Sequence, residues 1–347
     1  MDSDTREYNS LNIWRVVFTV VIMLFHLVNG SSFYDRYPMI KYHWYIAVEF
    51  FFILSGYLLM QHVDNHKEES SFSYLKGRIW RLYPEYLLAF LVMASIRSYE
   101  SGLNIFKIIV PNWLEAVMLQ SIGTNIFPYI NNPAWYVSAL TISSCLIHYL
   151  LSKHRELYLN FVGPGLVIVI FSYLYRKYER LELFYHTEGV IGNTAILRAV
   201  MSLTVGVYVY YVSMTLKPRL KSIPDLLKSV MQIFAFGGVL AFSLLREEGS
   251  YDFFFMLVFA CGIILASSDS FLGKLSNTYV VSWLSKHSYC MYLSHFAAIF
   301  FLNIFWNIGE EWFWEIIPVY ILITMLLAAV YSCICDKVRK VIMRWYL

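Results

Sequence analysis

The sequence predicts an all-α integral membrane protein: about ten transmembrane helices in a single bundle, with one re-entrant or interfacial helix near residues 104–122. Three observations predict it. Hydrophobic residues make up 59% of the 347 and charged residues only 15%, too little charge to coat a soluble domain of this size. The mean hydropathy is positive, at +0.54. Apolar runs recur along the whole length, and at roughly 17 to 25 residues each matches the length a helix needs to cross about 30 Å of hydrocarbon.

Eleven apolar stretches can be drawn, at about 12–30, 44–62, 82–96, 104–122, 134–152, 158–175, 193–213, 229–245, 253–268, 288–306 and 313–335. The first follows a polar, mixed-charge segment, contains Arg15 and His26 and lacks a small-residue cleavage pattern, so it is expected to be a permanent span and not a removable signal. The fourth carries Lys107, Pro111, Asn112 and Glu115. Polar groups facing lipid are costly, so this stretch is expected not to cross. The five cysteines fall inside or beside apolar runs and lack the paired spacing of a zinc site, so neither a disulfide framework nor a metal is expected.

Loop charge orients the spans, because cytoplasmic loops concentrate Lys and Arg. With the fourth stretch left out and the amino terminus inside, 18 of the 27 basic residues fall on the cytoplasmic side. Letting it cross would invert every later loop and carry the basic groups around Lys153, Lys217 and Lys337 outside. The expectation is therefore one polytopic domain over residues 1–347, integral to the cell (plasma) membrane, with both termini cytoplasmic and no separate soluble domain.

Several polar side chains have no reason to face lipid. Arg15 and His26 stand eleven residues apart in the first span. That spacing advances a helix by about 1100°, roughly 20° past three turns, and raises it about 16 Å, so both share one stripe. Glu49, in the antiparallel second span, is expected at the depth of His26. A carboxylate beside an imidazole orients it and raises its basicity, as a general base for a hydroxyl requires; a structural ion pair between neighbouring helices is the alternative. Ser55 and Gly56 are read as letting a neighbouring helix approach closely.

Arg78 and Arg81, three residues apart before the third span, would form a cationic mouth with Arg15, suited to phosphate oxygens or else to anchoring at anionic lipid. Ser288, Tyr292 and His295 follow at spacings of four and three and share a face, lining a substrate channel or forming a packing network. Trp135, Tyr136 and Ser138 follow Asn131, Asn132 and Pro133 at the outer end of the fourth crossing span, as substrate contacts or interfacial anchors.

Taken in order, these residues resemble the acyltransferase-3 family of integral membrane O-acyltransferases. The resemblance rests on Arg15 and His26 separated by ten residues, the run from Val48 to Tyr57, Arg78 and Arg81 followed by Tyr83 and Pro84, Pro133 to Ala139, Arg198 with Gly206, and Ser288 to His295. It covers nearly the whole chain and implies transfer of an acetyl or other short acyl group from acyl-CoA to a hydroxyl of a cell-surface polysaccharide or its lipid-linked sugar precursor. It further implies His26 as the catalytic base with Glu49 at the family's acidic position. Arg15, Arg78 and Arg81 would bind the acetyl-CoA donor, and Trp135, Tyr136, Ser138, Tyr292 and His295 the acceptor. The expected partners are acyl-CoA, a glycan or glycolipid and membrane lipids, with no nucleic acid and homo-oligomerisation left open. One departure is that Leu140 and Thr141 stand where members with a fused esterase-like domain often carry acidic residues. The rival class is a membrane transporter or flippase for a small polar or lipid-linked substrate, although no internal repeat is evident.

Overall fold

The computed structural model describes residues 9–30, 43–123, 129–186, 188, 193–246, 249–306 and 313–346. Arg6, one of the 18 basic residues assigned to the cytoplasmic side, and Arg36 and Lys41, two of the remaining nine, lie outside the described residues. Among the described residues no β-strand occurs. The helices are α1 Leu11–Asn29, α2 Ala47–Asn65, α3 Ser71–Ser101, α4 Ile105–Ile109, α5 Trp113–Ala116, α6 Trp135–Lys153, α7 Gly163–Tyr178, α8 Thr194–Lys221, α9 Asp225–Leu245, α10 Tyr251–Ala266, α11 Phe271–Ser276, α12 Tyr279–Trp306 and α13 Phe313–Tyr346.

Eight of these helices are long and apolar enough to cross a membrane: α1, α2, α3, α6, α7 with the turns before it, α8, α9 and α13. That is two fewer than the ten expected. α10 is apolar but only 16 residues long, and α12 runs for 28 residues while its first turns hold Ser282, Ser285, Lys286, His287 and Ser288. Outward faces stay apolar, with Val169 on α7, Phe234 on α9 and Leu257 on α10 each more than 60% exposed. In water such a surface would be unfavourable, and in hydrocarbon it is matched.

Residues 104–122 do not form a spanning helix. The Asn104 side chain caps the Phe106 amide at 2.9 Å, Pro111 falls in a 3-10 turn, and Met118 adopts a left-handed φ of 61°. A backbone that turns so often cannot keep the unbroken hydrogen bonding that lipid demands. The segment is instead pinned to the bundle by Glu115, whose two carboxylate oxygens accept from the Ile130 and Asn131 amides at 2.8 Å each. The Tyr86 hydroxyl of α3 donates to the Glu115 carbonyl at 2.7 Å. Burial pushes the Glu115 carboxyl up to about 7, against the opposing pull of those two amides.

The most extensive helix contact is between α2 and α8. It is set by two glycines. A Cβ added at Gly56 would lie 2.0 Å from the Leu203 carbonyl oxygen, and one at Gly206 would lie 2.0 Å from that of Ile53. Only hydrogen fits at either position, which agrees with the expected close approach at Gly56. Beside this crossing, Phe18, Phe50, Phe236 and Phe259 interlock around the α1–α2 contact, with Phe18 and Phe50 stacked at 4.3 Å.

Candidate active site

The α2–α8 crossing holds a charged pair. Arg198 donates from Nε to one Glu49 oxygen, Ser202 donates from Oγ to the other, and the two charged side chains are 1% and 0% exposed. Arg198 also lies over the Trp135 ring, 5.4 Å from its centroid, and Trp135 stacks on Phe184 at 5.3 Å. Both Glu49 oxygens are thus engaged by α8, which packs against α2 at the glycine crossing, and not by the imidazole expected at the same depth. An ionisable residue within a span calls for a partner, and that rule, applied to Arg198, was the available signal for this pair.

The three expected arginines do come together. Arg15 on α1 and Arg78 and Arg81 on α3 line one cavity of about 880 Å³ between α1, α2, α3, α6, α12 and α13. Among the described residues none of the three has a carboxylate within ion-pairing distance. The acidic residues lining the same cavity are already taken. Glu69 holds His62 at 2.6 Å, and Glu85 and Asp336 hold Arg339 at 2.5 and 3.1 Å. Arg78 donates from Nη1 to the Tyr74 hydroxyl at 2.9 Å, and its buried Nε has no partner among the described residues. The cavity wall thus keeps an uncompensated positive charge, with Lys286 adding to it. Arg339, Glu85 and the stacked pair Tyr74 and His148, at 4.2 Å, were not singled out by sequence reasoning.

Along α1 the cavity is lined by Arg15, Thr19 and Ile22, the stripe on which His26 is the next residue. It ends there, below Tyr136 and Tyr292, and His26 is not part of its wall. The Tyr136 and Tyr292 rings lie 5.7 Å apart, and the Tyr292 hydroxyl donates to the Pro133 carbonyl. Beyond this aromatic layer Tyr292 stands 5.7 Å from His295, and His295 stands 5.1 Å from the half-buried His26. Phe296 closes against both imidazoles, at 5.0 and 5.3 Å.

Two of the expected acceptor contacts serve elsewhere in this structure. Ser138 is fully buried and its Oγ accepts from the Ser121 amide at 3.2 Å, tying α6 to the broken segment. Trp135 is spent on Arg198 and Phe184. Tyr136 and Tyr292 face the cavity, and His295 faces His26.

The arrangement offers guanidinium donors on one side of the Tyr136–Tyr292 layer and two imidazoles on the other. A family model described as an acyltransferase domain matches residues 8–333. The chain belongs to the acyltransferase-3 family. Neither a curated protein nor a solved structure matches it. The acyltransferase is thus a membrane protein whose family match spans its helices from before α1 into α13.

Proposed function

We propose that this acyltransferase moves an acetyl or other short acyl group from acyl-CoA to a hydroxyl of a cell-surface polysaccharide or of its lipid-linked precursor, with His26 as general base. The observation that carries the proposal is the set of Arg15, Arg78 and Arg81, without carboxylate partners among the described residues, in one cavity on the α1 stripe that leads to His26. Guanidinium groups bind phosphate oxygens through paired N–H donors, and three of them suit the phosphates of CoA. The rise from Arg15 to His26, about 16 Å along α1, suits an extended pantetheine arm.

Delivery requires the thioester to pass Tyr136 and Tyr292. Once past them, His26 takes the proton of the acceptor hydroxyl as its oxygen attacks the thioester carbonyl. The bond to sulfur breaks, and the CoA thiolate receives the proton. His26 lies near the end of α1 opposite the arginines, so an acceptor from the outer side is the simpler arrangement. Loop charge supports a plasma-membrane protein with the arginine mouth and both termini cytoplasmic. Family membership favours this enzyme over the transporter reading.

The test is CoA binding by the purified full chain in nanodiscs, across a salt series. Removing one guanidinium, as in Arg15→Gln, Arg78→Gln or Arg81→Gln, is expected to weaken Kd by about tenfold, or roughly 1.4 kcal/mol, and to flatten the salt dependence. An unchanged Kd in all three variants would refute the role of the arginine cavity.

A further inference from the structure

We infer that His295 is the positioning residue for His26: its Nε2, unpaired among the described residues, takes up an N–H from one ring nitrogen of His26 when the acceptor hydroxyl docks, and leaves the lone pair of the other nitrogen facing that hydroxyl. The inference rests on the reading of His26 as base given above.

The side chain nearest in kind to a catalytic orienter is an imidazole and not a carboxylate. The two rings lie 5.1 Å apart, tilted by 31°, while both oxygens of Glu49 are held by Arg198 and Ser202. The tautomer of His295 is fixed by its own helix. Nδ1 stands 2.5 Å from the Tyr292 carbonyl oxygen, which can only accept, so Nδ1 carries the proton and Nε2 is an acceptor. That Nε2 is buried and has no hydrogen-bond partner among the described residues. Leaving such an atom unsatisfied costs about 1–3 kcal/mol, and native structures keep few of them.

Phe25 and Phe296, whose rings pack against that of His26, are apolar and offer it no hydrogen bond. Neither ring nitrogen of His26 hydrogen-bonds to a described residue. Once His26 turns an N–H onto that free Nε2, a relay runs from the Tyr292 carbonyl through His295 to His26 and the acceptor oxygen. His26 gains the hydroxyl proton on the nitrogen that faces the acceptor as the oxygen–carbon bond forms and the carbon–sulfur bond breaks. The other nitrogen keeps its proton toward His295 throughout. This is how a second partner elsewhere fixes the tautomer of a working imidazole, here with a neutral acceptor.

The experiment compares His295→Gln, His295→Leu and His295→Asn with His26→Ala, using the full chain in native membranes and following CoA thiol release from acetyl-CoA. The Gln variant keeps an acceptor oxygen near the position of Nε2 and is expected to stay within about threefold of wild-type kcat, whereas Leu and the shorter Asn fall by on the order of 10–100-fold. The KM for acetyl-CoA is expected to hold in all three, because the donor cavity lies on the other side of Tyr292. Wild-type kcat in the Leu and Asn variants, equal damage by Gln and Asn, or a KM that moves with kcat would overturn the assignment. Full activity in His26→Ala would instead strike the base reading, so the two failures are distinguishable.

Discussion

Glu49 on α2 and Arg198 on α8 neutralise each other inside the bundle, in a contact from which solvent is fully excluded. Removing one member of such a pair leaves a bare buried charge, at a cost of about 3–5 kcal/mol, whereas removing both is often tolerated. Arg198→Met is therefore expected to lower the thermal midpoint strongly in detergent, and Glu49→Met with Arg198→Met to recover most of the loss. If the single variant melts like wild type, the pair is not structural.

The glycine crossing beside that pair leaves no room for a methyl group. Gly206→Ala drives a Cβ to 2.0 Å from the Ile53 carbonyl oxygen, and Gly56→Ala does the same to Leu203. Backbone atoms cannot rotate aside as a side chain can, so each variant is expected to lose about 3 kcal/mol or more, at or above the upper range for overpacking. Size-exclusion profiles and thermal midpoints of the two variants measure this; Gly237→Ala, where open space surrounds the added atom, serves as the control.

Glu115 gives stability a pH dependence. Its carboxyl is pushed up to about 7 by burial, from an ordinary value of 4.5. A raised carboxyl is neutral at little cost below the ordinary value and must be ionised inside the fold above the raised one. Its contribution is thus present near pH 4.5 and lost as pH rises through about 7, by on the order of 3 kcal/mol. Glu115→Gln is expected to be less stable at low pH, because it turns one acceptor toward a backbone amide into a donor, and to show a flatter profile between those pH values. A midpoint that climbs with pH in wild type and not in the variant would reverse the sign and contradict the burial of this group.

Spans, the broken segment and the arginine stripe were legible because each depends on composition or period. Lys107, Pro111, Asn112 and Glu115 could not coexist with lipid, and the structure turns the chain at those residues. The 3.6-residue period put Arg15 and His26 on one stripe, and the cavity follows that stripe from Arg15 through Thr19 to Ile22. The partner of Glu49 was not legible. Helix direction places a residue at a depth but does not say which neighbour it turns toward, and α1 and α8 both border α2. For the same reason the His26–His295 pair, 269 residues apart, could not be read from spacing within either helix. The start of α3 was missed because Lys76, Arg78 and Arg81 end an apolar run without ending a helix, which begins at Ser71 behind the Ser70 cap.

Tyr292 separates the arginine cavity from the two imidazoles. Tyr292→Phe removes the hydroxyl that donates to the Pro133 carbonyl and frees the ring to swing. The expected outcome is a rise of about fivefold in acetyl-CoA hydrolysis without acceptor, the rate counterpart of about 1 kcal/mol for a lost hydrogen bond. A variant whose hydrolysis equals that of wild type would show that the aromatic layer does not limit passage.

The most direct test is transfer of radiolabel from acetyl-CoA to membrane glycans by His26→Ala, alongside CoA binding to the same variant. The expected result is a fall in transfer of at least about 100-fold with CoA affinity unchanged, as for loss of a general base. Transfer at the wild-type rate by a correctly inserted variant would contradict the central claim.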